Sequence, residues 1–306
     1  MALSANLRGA LFMAVAMAGF TVNDTLVKSV LPSMNMGQAI LLRGVFATAL
    51  LVFLIARAGS VPPLRVLSGK AVLTRVACEM TATVSFIFAL SHLPLANVTA
   101  VLQALPLAVT MGATFVFAEP VGWRRWSAIA VGFLGVLVIV RPGFEGFSAW
   151  SLLALATVAA CAVRDLSTRF IPADVPTAWV SAATATGVTL CGLVLIPLTG
   201  GWTPLTLPSA AFLFGAAGAI VIGYQFVIMA MRQGEISFMA PFRYTALLWA
   251  VLLGYLVFGD VPDGLMLLGS TLVVASGLYA LYRERVAGRK RPIAESTAPG
   301  MAPDGA

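Results

Sequence analysis

The chain has 306 residues, 60% of them hydrophobic and 10% charged, with a mean hydropathy of +0.97. A water-soluble domain is about a quarter charged, so a soluble fold is excluded and the bilayer must be the solvent for most of the chain. The net charge of +7 sits in short connections and near the C-terminus, as in membrane proteins, and excludes a nucleic-acid footprint.

The first apolar segment, 9–22 behind Arg8, has the outline of a signal peptide. Its basic region is thin, and Asn23, Asp24 and Lys28 continue it in helical register, so it reads as a retained first helix. Nine further apolar segments follow. Together they predict an all-α integral membrane protein with spans near 8–30, 38–57, 70–90, 96–117, 125–141, 149–170, 177–198, 209–231, 235–258 and 263–282. About 20 apolar residues are needed to cross the hydrocarbon core as a helix, and an open sheet edge in lipid would leave backbone groups unpaired. Turn chemistry separates the segments at Pro32, Pro62-Pro63, Pro94, Glu119-Pro120, Pro142-Gly143, Pro172, Gly200-Gly201, Gly234 and Pro262. Within spans, Pro106 and Pro241 each predict a kink. Gly132, Gly135, Gly215, Gly218 and Gly223 predict close helix contacts. Residues 284–306 turn polar and rich in Pro and Ala and predict a disordered cytoplasmic tail.

Cys78, Cys161 and Cys191 lie in apolar runs without a CxxC pair or a His cluster. They read as small hydrophobes, with no metal site and no cofactor. With no GxxxxGK[ST] loop, nucleotide-driven pumping is excluded. An intramembrane enzyme would need a nucleophile with a base, an acid pair or a metal cluster. The sequence has no HExxH, no GxSxG and a single histidine, His92, and reads as no enzyme.

Sliding the chain on itself by 141 residues aligns the two sets of five spans. Asp24 falls on Asp165, Lys28 on Arg169, Ala89 on Ala230, and Phe117-Ala118-Glu119 on Phe258-Gly259-Asp260. The domains read as repeats at 1–141 and 148–283. Because five is odd, the second repeat must run inverted, which is a transporter architecture. Exchanging two slightly different packings of related halves turns an outward-open site into an inward-open one.

A charge at the bilayer centre costs about 3 kcal/mol on insertion scales, so residues that carry one face the interior and find partners. Glu79 and Arg243 lie deepest. With Asn97, Gln103, Tyr224, Tyr244 and Trp249 they form the candidate substrate-binding set, since placed polar groups among aromatic faces make a pocket. Asp24 with Arg43, and Asp165 with Arg75, are the candidate gating pairs. Helical spacing of four also pairs Asp24 with Lys28, Glu79 with Arg75 and Asp165 with Arg169. For Lys28 and Arg169 a simple anchoring of the helix end at the interface competes with these roles.

Ten helices in two inverted halves, the acidic turn closing each fourth span, the Gly-rich fifth span (Gly132, Gly135) and the basic C-terminal end resemble the drug/metabolite transporter superfamily. Within it the chain is similar to the bacterial EamA-type permeases over about 8–283. The resemblance implies a secondary transporter of the cell inner membrane, with a central cavity lined by the first four spans of each half. It implies fifth spans that serve as support or as a homodimer surface. Its partners would be the lipid bilayer and a small-molecule substrate: riboflavin or a similar vitamin first, an amino acid or drug otherwise. A receptor or scaffold without transport is the further alternative, but the sequence offers no folded extramembrane domain to meet a partner.

Ten spans place both termini on one side. Thirteen basic residues, among them Arg8, Arg57, Arg124, Arg125, Arg169 and Arg283, fall on that side and two, Lys28 and Arg141, on the other, so both termini are expected to be cytoplasmic. A reporter active only in the periplasm, fused to the C-terminus, should be silent. Activity there would reverse the topology.

Overall fold

The computed structural model describes residues 5–57, 68–117, 122–142, 148–172, 177–233 and 240–286. The turns expected at Pro62-Pro63, Glu119-Pro120, Gly143 and Gly234 lie outside the described residues, as does the tail from 287 on. Among the described residues ten helical segments are long and apolar enough to cross a membrane, so the chain is an all-α, ten-span integral membrane protein. Eleven α-helices build them: α1 (Ala5–Val30), α2 (Met36–Arg57), α3 (Lys70–His92), α4 (Leu95–Leu102), α5 (Leu105–Val116), α6 (Trp123–Val140), α7 (Trp150–Thr168), α8 (Thr177–Leu198), α9 (Leu207–Gln233), α10 (Thr245–Leu253) and α11 (Gly264–Val286). A 3₁₀ turn, Ala240–Tyr244, precedes α10 and a π turn, Gly254–Phe258, follows it. Hydroxyls inside the spans bond to the carbonyl four residues back, as Thr21 does to Met17 (2.9 Å) and Thr184 to Val180 (2.8 Å). Such bonds satisfy a polar group where water is absent.

The fourth and ninth spans are broken at matching places. Gln103 and Ala104 separate α4 from α5, and Pro106 stands in the first turn of α5. The junction between the 3₁₀ turn and α10, at Tyr244 and Thr245, is 141 residues further on, and Pro241 lies in that turn. The expected kink of the fourth span is thus a two-residue turn between two α-helices, and that of the ninth a change from 3₁₀ to α geometry.

Helix pairing follows the same offset. α1 packs on α9 and its counterpart α7 packs on α3, while α2 meets α8 and α6 meets α11. Thr48 and Thr189, themselves 141 residues apart, touch through their hydroxyls at 3.3 Å across the α2–α8 seam. Near one end of that seam Asn35 donates to the Thr199 carbonyl (2.7 Å), and Gln38 donates to the Thr203 carbonyl (3.0 Å). The α6–α11 seam is as close: a Cβ on Gly135 would stand 2.8 Å from the Gly269 carbonyl oxygen. At one end of this seam Arg141, in the left-handed region with φ 55°, pairs with Asp263. Asp263 also accepts the Met266 N–H at 2.8 Å and so caps α11. Both bonds hold its carboxyl below the ordinary range.

Small residues set the interaxial distance at these seams. A Cβ on Gly192 would lie 2.6 Å from the Leu41 backbone nitrogen, whereas one on Gly218 meets nothing within 4 Å. Gly192→Ala should therefore destabilise the protein by about 1–3 kcal/mol through forced separation of α2 and α8. Gly218→Ala should be neutral or stabilising by up to about 1 kcal/mol, since alanine is the better helix former. Thermal unfolding of the detergent-purified variants reads both, and equal melting temperatures would refute the seam argument.

Candidate functional site

The charged side chains of the spans converge where α3 meets α7. Arg164, 2% exposed on α7, donates to Glu79 of α3 at 2.8 Å and to its own neighbour Asp165 at 2.7 Å. Asp165 is 1% exposed. Arg75, one turn before Glu79 and also buried, donates instead to the Thr168 hydroxyl. Glu79 keeps 21% of its side chain exposed and is the accessible edge of the cluster.

Three further elements face the same centre. The Arg43 charge on α2 acts on Asp24 of α1, on Glu79 and on the Tyr224 phenol of α9. Asn23 donates to Asp24 at 2.9 Å. Tyr224 packs edge-on against Phe20, with ring centroids 5.3 Å apart. Three arginines (43, 75 and 164) and three carboxylates (24, 79 and 165) thus balance nominally. Arg75, Arg164 and Asp165 are sealed, while Glu79, Arg43 and Asp24 are half-buried. One acid edge, one basic edge and an aromatic wall suit an organic solute carrying both charges.

The pairing differs from what helical spacing suggests. Spacing joins Glu79 to Arg75 and Asp165 to Arg169, whereas both acids take Arg164 as their direct partner. The reason is packing: α3 and α7 lie face to face, and a guanidinium at equal depth on the facing helix makes shorter bonds than one a turn away. The suggested pair of Asp165 with Arg75 is a longer-range interaction. Asp24 with Arg43 is likewise electrostatic, the contact bond coming from Asn23. Arg164 itself was absent from the candidate set. The signal that finds it is an Arg-Asp dipeptide inside a span, where each charge is costly unless paired.

Other candidates stand elsewhere. Asn97 lies in the first turn of α4 and Gln103 caps its end through a backbone N–H. Trp249 donates its indole N–H to the Ala14 carbonyl at 3.2 Å and packs with Met13, Met17 and Val227 between α1 and α9. The Tyr244 hydroxyl presses on Gly277 of α11. Arg243, half-buried beside it, occupies the 3₁₀ turn. The 141-residue relation also holds at the centre: Asn23-Asp24 of α1 matches Arg164-Asp165 of α7, each with a side-chain donor on the following acid.

Residues 7–141 match the EamA-like transporter family. An S-adenosylmethionine uptake transporter of Rickettsia bellii is 26% identical over 211 residues, 68% of this chain and 70% of that one. A riboflavin transporter of Rhizobium johnstonii is 26% identical over 228 residues, 71% and 72% of the two chains. The pseudopaline exporter CntI of Pseudomonas aeruginosa is 25% identical over 281 residues, 88% of this chain and 94% of its own. One crystal structure, 19% identical, superposes with a TM-score of 0.60 over 93% of this chain and 99% of the other, a likeness of fold.

Arg164→Gln removes the shared partner of the buried Asp165 and the half-buried Glu79 and should cost about 3–5 kcal/mol of stability. Glu79→Gln leaves the Arg164–Asp165 pair intact and should cost less. Melting temperatures of the two variants in detergent test the order, and a larger loss for Glu79→Gln would place the anchor elsewhere.

Proposed function

Since this chain belongs to the EamA-type permeases of the drug/metabolite transporter superfamily, we propose that it moves a zwitterionic, ring-bearing metabolite across the inner membrane by alternating access. The observation that carries the reading is the half-buried trio of Glu79, Arg43 and Asp24 beside the Phe20–Tyr224 ring pair, over a sealed Arg164–Asp165 base. A cationic centre on the solute pairs with Glu79, its carboxylate with Arg43, and its ring with Tyr224. The relatives include carriers of S-adenosylmethionine, a zwitterion with a heterocycle, and of riboflavin. Riboflavin uses the aromatic wall but lacks the cation and carboxylate that the charged edges ask for, so an amino-acid-derived solute fits the site better than a vitamin of that type.

The matched helix bounds and seam pairs support repeats at 1–141 and 148–283, inverted about an axis through the α2–α8 and α6–α11 seams. The basic asymmetry supports cytoplasmic termini. Transport then draws on an ion gradient, on exchange or on the solute's own gradient.

In proteoliposomes, labelled S-adenosylmethionine should be taken up or exchanged at least about tenfold faster than riboflavin, a difference of about 1.4 kcal/mol. Glu79→Gln and Arg43→Gln should each abolish that flux in protein that melts near wild type. Preferential carriage of riboflavin that is indifferent to Glu79→Gln would overturn the zwitterion assignment. Absence of flux for every solute in a panel of vitamins, amino acids and nucleosides would count against transport of these classes.

A further inference from the structure

We propose that Lys28 and Arg169 are paired latch residues, each held on a phenyl ring at one end of the helix bundle and each securing that end in one state of the transport cycle. The proposal rests on the transporter reading above. It concerns residues that touch neither the charged centre nor the solute placed there.

The Lys28 ammonium lies 5.2 Å from the ring centroid of Phe258, and the Arg169 guanidinium 5.1 Å from that of Phe117. Both are inside the range of about 6 Å for cation–π attraction. Arg169 is the 141-residue counterpart of Lys28, and Phe258 that of Phe117. Each contact therefore joins a cation from the first helix of one half to a ring closing the fourth span of the other. α1 and α7 run in opposite senses, so the two contacts mark opposite ends of the bundle. A helix-end anchor reaching for water needs no ring, and it has no reason to take one from the other half twice.

The contacts also show what must break. α10 packs on α1 as α5 packs on α7, so the bundle contains two related bodies, α1 with α9 and α10, and α7 with α3 and α5, each with helices of both halves, and α10 also touches α4. Lys28 and Phe258 belong to the first body. From its ring seat the ammonium donates to the Leu93 carbonyl, at the α3–α4 corner of the second body. Phe258 itself packs beside Leu90 and Leu95 of that corner, with Asp260 adding its charge to Lys28. The ring orients the ammonium, and the carbonyl bond crosses the gap between bodies. Opening this end must sever that bond and pull Phe258 off Leu95. Arg169 has the same seat at the other end but stands exposed, so water weakens its hold. A contact made in one state biases the cycle by its differential energy, and the broken fourth spans supply the hinge points.

Hydrogen–deuterium exchange of the full chain in nanodiscs tests this without a solute. Lys28→Gln should raise exchange about tenfold at 24–30 and 253–260 and lower it at 164–172; Arg169→Gln should do the reverse by about threefold. Phe258→Leu should copy Lys28→Gln, Phe117→Leu should copy Arg169→Gln, and Lys28→Arg should keep the wild-type pattern. Exchange that rises only beside each substitution, or at both ends together with a lower melting temperature, would leave the two residues as structural anchors and overturn the proposal. Reciprocal exchange in a protein that carries no solute would keep the latches and discard the transport reading instead.

Discussion

A guanidinium that is 2% exposed within a bilayer-length helix exists only because two carboxylates meet it. Water is absent there and an unpaired charge costs several kcal/mol. Arg164 therefore fixes much of what surrounds it. It sets the depth at which α3 lies against α7, because Glu79 must reach it from the facing helix. It also sets the direction of Asp165, and it leaves Arg75 to find Thr168. The open edge of the site, Glu79, is placed by the buried partner behind it.

The frame that carries this cluster is symmetric and the cluster is not. Arg164 replaces Asn23 of the other half, Arg43 answers to Thr184, Arg75 to Ala216, and Glu79 to Ile220. Charges have been concentrated on one side of the pseudo-twofold axis, while the acids Asp24 and Asp165, the hydroxyls Thr48 and Thr189, and the alanines Ala89 and Ala230, both fully buried, remain matched. On the repeat organisation proposed above, the matched seam residues would keep the two halves exchangeable in shape. On the transport reading proposed above, the unmatched charges would hold a solute in one orientation, where a symmetric site would bind it equally in two.

Span number and order were legible in the sequence because a hydrocarbon slab imposes a length on every helix that crosses it. The offset of 141 residues was legible because the acid–base spacing and the Phe-x-acid turn are rarer than apolar matches, and the matched helix breaks at 103–104 and 244–245 obey the same offset. The charged centre was legible in composition but not in connectivity. Spacing along one helix reports neighbours on that helix, whereas the bonds of Glu79 run to another. Tyr244 and Trp249 illustrate the same limit: aromatic residues in a span look alike in sequence whether they face a cavity, the Ala14 carbonyl or a glycine of α11.

The seams also decide what kind of motion the fold permits. At α2–α8 the backbone approach at Gly192 and the bonds from Asn35 and Gln38 tie the halves where the axis passes. At α6–α11 the glycines and the Arg141–Asp263 pair do the same. Cores packed to this density switch between discrete arrangements rather than deform continuously. The elements left to move are then α1 with α9 and α10, and α7 with α3, α4 and α5. These bodies carry Asp24 and Tyr224 on one side, and Glu79, Arg164 and Asp165 on the other. On the transport reading proposed above, a solute lying between the charged groups would touch both, and its binding would act on the relative position of the two bodies, the coordinate along which a site at their contact changes the side it faces.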